Sequence, residues 1–141
     1  MKTQKIDRAQ QQIIQEMAGL TDAMDKYKYL IEQAEEFKGR DDTIRSEPNL
    51  IHGCQSSVWL CVRVEDDRVL MQADSEARIV RGILALLHRV INNRPRENVI
   101  ETELYFLEQT GLREHLSPHR ANGLQSIVDE IKNRCKGESI D

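Results

Sequence analysis

The segment richest in chemically useful residue types is Gly53-Cys54-Gln55-Ser56-Ser57, set between His52 and the apolar Val58. A cysteine with an ordinary pKa of about 8.5 is only a few per cent thiolate at neutral pH. Loop N–H groups, a cationic neighbour or a cation supplied by a partner would raise that fraction. Gly53 permits an unusual backbone conformation and leaves room at the sulfur. Polar Gln55, Ser56 and Ser57 separate Cys54 from the strand that follows, so the thiol sits in a loop, where a scaffold can present it. Free cysteine is also among the most buried residue types. The segment by itself leaves a reactive thiol and an inert, packed one equally open.

The other cysteines, Cys61 and Cys135, form no Cys-x-x-Cys with it, so neither a zinc ribbon nor a dithiol redox motif is written here. Cys61 falls in an alternating run and Cys135 on an apolar helical stripe; both read as packing residues. Trp59, the only tryptophan, reads as a wall for the cysteine's seat. His115 is either a proton carrier or a structural hydrogen-bonding group beside a helix start. His52 carries no assigned role.

The elements that position these residues follow from periodicity. Ile6, Ile13, Ile14, Met17 and Leu20 share one helical face. After Gly19, Thr21 or Asp22 is an N-cap for a second helix with Met24, Tyr27, Tyr29, Leu30, Ile31, Ala34 and Phe37 as its apolar set, ended near Gly39. Val58, Leu60, Val62 and Val64 then alternate with Ser57, Trp59, Cys61, Arg63 and Glu65, which is the pattern of a strand with an apolar face. Glu65-Asp66-Asp67-Arg68 turns into a return strand over Val69–Ala73, and Leu50-Ile51 is read as a short third strand. Asp74 or Ser75 caps a long helix. Its broad apolar face runs from Ile79 to Ile91, and its Gly82 marks close approach by another element. Pro95 is read as the first residue of a short helix, and Ser117-Pro118 as the start of the last one. The sum is an α+β domain with a small, about three-stranded antiparallel sheet flanked by helices, in one unit over residues 1–141.

Composition narrows the function classes. With 24 acidic and 20 basic residues the formal net charge is −4, which argues against a general nucleic-acid binder. The first residues lack the apolar run of a signal peptide and no segment approaches a membrane span. The expected compartment is the reducing cytoplasm, where free thiols persist.

Gly53-Cys54-Gln55-Ser56-Ser57-Val58-Trp59 resembles the G-C-Q-S-x-V-W signature of the SufE family, the sulfur acceptors of iron–sulfur cluster assembly. Asn49-Leu50-Ile51 resembles the family's lead-in. The run Ala73-Asp74-Ser75-Glu76-Ala77-Arg78-Ile79-Val80-Arg81-Gly82 resembles its D-S-[DE]-A-x-I-V-x-G helix start. Leu112 to Leu124 resembles L-x-x-H-L-[ST]-P-x-R-x-x-G-L. Tyr27, Tyr29 and Ile31 fit the first third, although a glycine of the pattern is absent near Ala34. The resemblance implies a SufE/IscU-like fold and a role for Cys54 as a persulfide carrier. A SufS-like, pyridoxal-phosphate-dependent cysteine desulfurase would be the sulfur donor and would be stimulated by this chain. A SufBCD-like scaffold would be the recipient. The chain itself would need no cofactor or metal, would turn nothing over alone, and would be a monomer or weak homodimer. Gly53 and Gln55 would support the thiol, which an apolar seat would shield until the loop swings out for transfer. Asp74 would tether the loop or face the donor, in addition to or instead of capping its helix. Arg120, whose charge opposes the dipole of its helix, would serve an ion pair or a partner contact. Two other readings compete: a metal- or cluster-binding scaffold of the same fold, and a thiol hydrolase built on Cys54 and His115.

Overall fold

The computed structural model describes residues 4–52, 56–115 and 118–137, with side chains described for all of these but 4, 115 and 118–121. Helix α1 (Gln4–Met17) buries Ile6, Ile13 and Met17 at helical spacing. Gln10 lies on the same face, fully buried. Its amide is satisfied at both ends, donating to the Glu103 carbonyl at 3.2 Å and accepting from the Phe106 N–H at 3.1 Å.

Helix α2 (Ala23–Glu35) starts as expected, with Asp22 accepting from the Met24 N–H at 2.8 Å. Its buried face differs from the expected one. Tyr29 and Leu30 are buried, whereas Met24 and Tyr27 are 59% and 39% exposed. The reason is the crossing with α3 (Arg78–Ile91) at Gly82. A Cβ there would stand 2.2 Å from the Leu30 carbonyl oxygen, so the backbones meet at Leu30, and this rotates Met24 and Tyr27 outward. The helix also stops at Glu35 rather than at Gly39. Gly39 serves a different contact: a Cβ would fall 2.3 Å from the His88 ring, and its carbonyl accepts from the Ala73 N–H at 3.1 Å. This draws the segment after α2 alongside the sheet.

Strands β1 (Val58–Glu65) and β2 (Arg68–Ser75) form the expected hairpin, with Val58 opposite Ser75 and Glu65 opposite Arg68. Asp66 and Asp67 hold φ of 53° and 64°, so two aspartates supply the left-handed turn that glycine usually does. The third strand is not Leu50-Ile51. It is β3 (Arg94–Pro95), paired with β2 at Arg68 and Val69. Proline, lacking an N–H, suits this edge position, and α4 (Arg96–Glu101) begins only after it. Leu50 contributes a single antiparallel bridge to Trp59 on the opposite edge.

Short α5 (Phe106–Gln109) and long α6 (Pro118–Cys135) complete the chain. One continuous core joins α1, α3, α6 and the inner sheet face, with Leu60, Met71, Leu84, Leu87 and Ile131 among its fully buried members. Among the described residues no helix is long and apolar enough to cross a membrane.

Candidate functional site around the cysteine loop

The cysteine loop is closed at its base. The Ile51 N–H donates to the Val58 carbonyl at 2.8 Å, next to the Leu50–Trp59 bridge. Gly53, Cys54 and Gln55 lie between these anchors and outside the described residues, as do the side chains of His115 and Arg120. His115 ends a 3₁₀ turn, Arg113–His115, and Arg120 lies in the first turn of α6. The described residues form a frame that holds the loop's two ends.

That frame centres on Asp74. The sequence suggests a helix cap; the structure corrects this. Asp74 and Ser75 are the last residues of β2, and α3 starts at Arg78, with Ala77 at its N-cap and no side-chain cap. The strand simply runs two residues further than the apolar alternation, because Val58 and Trp59 pair with Ser75 and Asp74. Asp74 is fully buried, and three arginines converge on it. Arg40 Nε lies 3.1 Å from Oδ1, Arg81 Nε 3.2 Å from Oδ1, and Arg45 Nε 2.8 Å from Oδ2. The Ser75 N–H donates to Oδ1 at 2.9 Å. Burial, the largest single influence, pushes the carboxyl pKa up. The Arg45 and Ser75 hydrogen bonds and the charges of Arg40 and Arg45 outweigh it, so Asp74 is held below the usual carboxylate range.

The frame reaches the loop through two contacts. Ser75 Oγ donates to the Ser57 carbonyl at 2.8 Å while accepting from the Ala77 N–H at 3.2 Å. The Arg45 guanidinium stacks over the Trp59 ring at 4.7 Å from its centroid. Three separate stretches, at Arg40–Arg45, at Ser57–Trp59 and at Asp74–Arg81, are thereby fastened together where the chain leaves the cysteine loop. The arginines escaped sequence reading. A usable signal was present, since Arg40, Arg45, Arg78 and Arg81 are four cations in a chain of net acidic charge.

Of the two described thiols, Cys135 is placed as a packing residue and Cys61 is not. Cys135 is fully buried in the core and its thiol is pushed up to about 11 by burial, which keeps it protonated. Cys61 is half-buried and, being odd-numbered on β1, faces away from the core that Leu60 enters. Among the described residues no three His, Cys, Asp or Glu side chains gather as a metal ion would require.

Comparison with known proteins bears on the fold and the family. A solved chain from Thermus thermophilus, titled as the solution structure of a hypothetical protein, superposes with a TM-score of 0.74, covering 92% of this chain and 94% of that one. At 21% identity it speaks to the fold alone. An uncharacterized SufE-like protein of Rhizobium meliloti (strain 1021) is 33% identical over 131 residues, 89% of this chain and 94% of its own length. Another, from Synechocystis sp. (strain ATCC 27184 / PCC 6803 / Kazusa), is 31% identical over 123 residues, 87% and 77% of the two chains. The family model for SufE, the Fe-S metabolism associated domain, matches residues 11–135, from the middle of α1 to the end of α6 and across the whole cysteine segment: the chain belongs to the SufE family.

Proposed function

We propose that this protein is a sulfur carrier of iron–sulfur metabolism that holds sulfur on Cys54 as a persulfide. The Cys54 thiolate attacks the outer sulfur of a donor persulfide. One S–S bond breaks as another forms, and the donor cysteine leaves as a thiolate that takes up a proton, so no net oxidation occurs. The donor is a pyridoxal-phosphate-dependent cysteine desulfurase, which turns over faster once relieved of its sulfur. The recipient is an iron–sulfur scaffold complex. The chain needs no cofactor of its own and has no turnover alone.

The observation that carries this reading is the family match running through the Gly53–Trp59 signature. The frame supports it, because the loop is fastened at both ends by Ile51–Val58 and Ser75–Ser57 hydrogen bonds. A cluster scaffold is disfavoured by the opposite placement of Cys61 and Cys135 relative to the sheet. The test combines the protein with a desulfurase, L-cysteine and pyridoxal phosphate. Intact-mass and peptide spectra should show one added sulfur on Cys54, and Cys54→Ser should abolish stimulation. Stimulation that survives Cys54→Ser would leave an allosteric activator and no carrier.

A further inference from the structure

The charge around Asp74 does not balance. Three arginines, Arg40, Arg45 and Arg81, bind one buried carboxylate, and Arg78 shares a cleft with two of them. The three that bind it keep side-chain exposures of 38%, 31% and 24%. Arg40 and Arg45 donate to Asp74 through Nε and Arg81 approaches it with Nε, so among the described residues the terminal nitrogens of each guanidinium remain for other partners. Arg81 Nε is further tied to the Ser75 carbonyl at 2.6 Å. These side chains are thus oriented in advance, which lowers the entropy cost of binding an anion. Arg40, Arg78 and Arg81 line a cleft of about 290 Å³ between α2 and α3, floored by Ile31, Ala34 and Phe37. Among the described residues Glu35 is the only acidic one lining it. Asp41 nearby is engaged elsewhere, accepting from Thr43 and Gln72. Arg78 is exposed and has no ion pair among the described residues.

We propose that this arginine cleft is the docking site for an acidic segment of the sulfur-donor protein, a reading that rests on the carrier function above. Carboxylate side chains suit fixed guanidinium forks, and the apolar floor suits the aliphatic stems beside them. Two of the cleft's arginines hold Asp74, which adjoins the Ser75 anchor at the base of the cysteine loop, so a donor held there is held near the end of the segment that carries Cys54 in sequence. Opposite charge across the contact speeds encounter and fixes register.

Arg78 supplies the test, because it does not hold the frame. It occupies the first turn of α3, where a glutamate favours the helix dipole. Arg78→Glu should therefore leave thermal stability unchanged or raised, while docking weakens. In titrations of desulfurase with the carrier, the half-saturating concentration should rise about fivefold or more at low salt, with an unchanged plateau rate. Arg78→Lys should stay within about twofold of wild type, as should Arg8→Glu on α1, which does not line the cleft. Wild type should weaken with added salt more steeply than Arg78→Glu. A wild-type chain that gains no sulfur overturns the carrier reading and this inference with it. A wild-type chain that gains sulfur, with Arg78→Glu indistinguishable from it, overturns the inference alone. Inorganic phosphate binding that Arg78→Glu removes, without any change in the donor titration, overturns it too and makes the cleft a small-anion site.

Discussion

Two arginine–carboxylate networks in this molecule use the same chemistry to opposite ends. On the α1–α2–α3 side, Arg89 grips Glu16 with two parallel bonds of 2.9 Å, Tyr29 donates to the same carboxylate at 2.7 Å, and Gln33 accepts from Arg89 at 3.0 Å. One cation meets one anion, and the partners are about one third exposed. At Asp74 one fully buried anion meets three cations. The balanced pair joins three helices and leaves no surplus charge. The unbalanced cluster gathers three chain segments and leaves positive charge facing outward beside the cysteine loop. A carboxylate's burial and the number of its partners, more than the presence of an ion pair, separate a clamp from a platform.

The largest expected effect comes from breaking the support both networks share. Gly82→Ala puts a methyl 2.2 Å from the Leu30 carbonyl; separating α2 from α3 should cost about 3 kcal/mol in urea unfolding. Next, the networks should respond unequally to neutralisation. Asp74→Asn should cost about 2 kcal/mol, since it removes charged hydrogen bonds from a buried group while the half-exposed arginines turn to water. Glu16→Gln should cost about 1 kcal/mol or less, because water already screens that pair. Equal losses would erase the distinction between clamp and platform. Ser75→Ala should cost about 1 kcal/mol by releasing the Ser57 carbonyl. It should also speed amide exchange at Ser56 and Ser57 with little change at Tyr29.

The smallest effect is a pH signature. Glu16 is lowered from 4.5 to about 2, chiefly by the hydrogen bond from Arg89. A depressed folded-state pKa gives stability that is fully present above the unfolded value and is lost as pH falls through the folded one. Stability should thus decline from about pH 4.5 towards pH 2, and Glu16→Gln should flatten that decline. Asp74→Asn should flatten it as well, in a window that begins below its ordinary value of 3.8.

What the sequence by itself determined is what local pattern carries. The alternation from Val58 to Val64 and the two aspartates after Glu65 wrote the hairpin. Asp22 wrote the start of α2, the apolar run from Ile79 to Ile91 wrote a central helix, and Gly82 marked its crossing. The Gly53–Trp59 signature identified the family and pointed to Cys54. Tertiary structure decided the rest, because it depended on residues far apart in the chain. Arg94–Pro95 became the third strand by meeting Val69, and Leu50-Ile51 made only the loop's base. Gly39 turned out to face His88 instead of ending a helix. Asp74 reads as a cap beside a helix start, since capping is the commonest use of aspartate there. Only folding brings Arg40 and Arg45 to it, across 34 and 29 residues. Periodicity registers neighbours two to four positions apart. It is blind to a charge cluster assembled from a loop, a strand end and a helix.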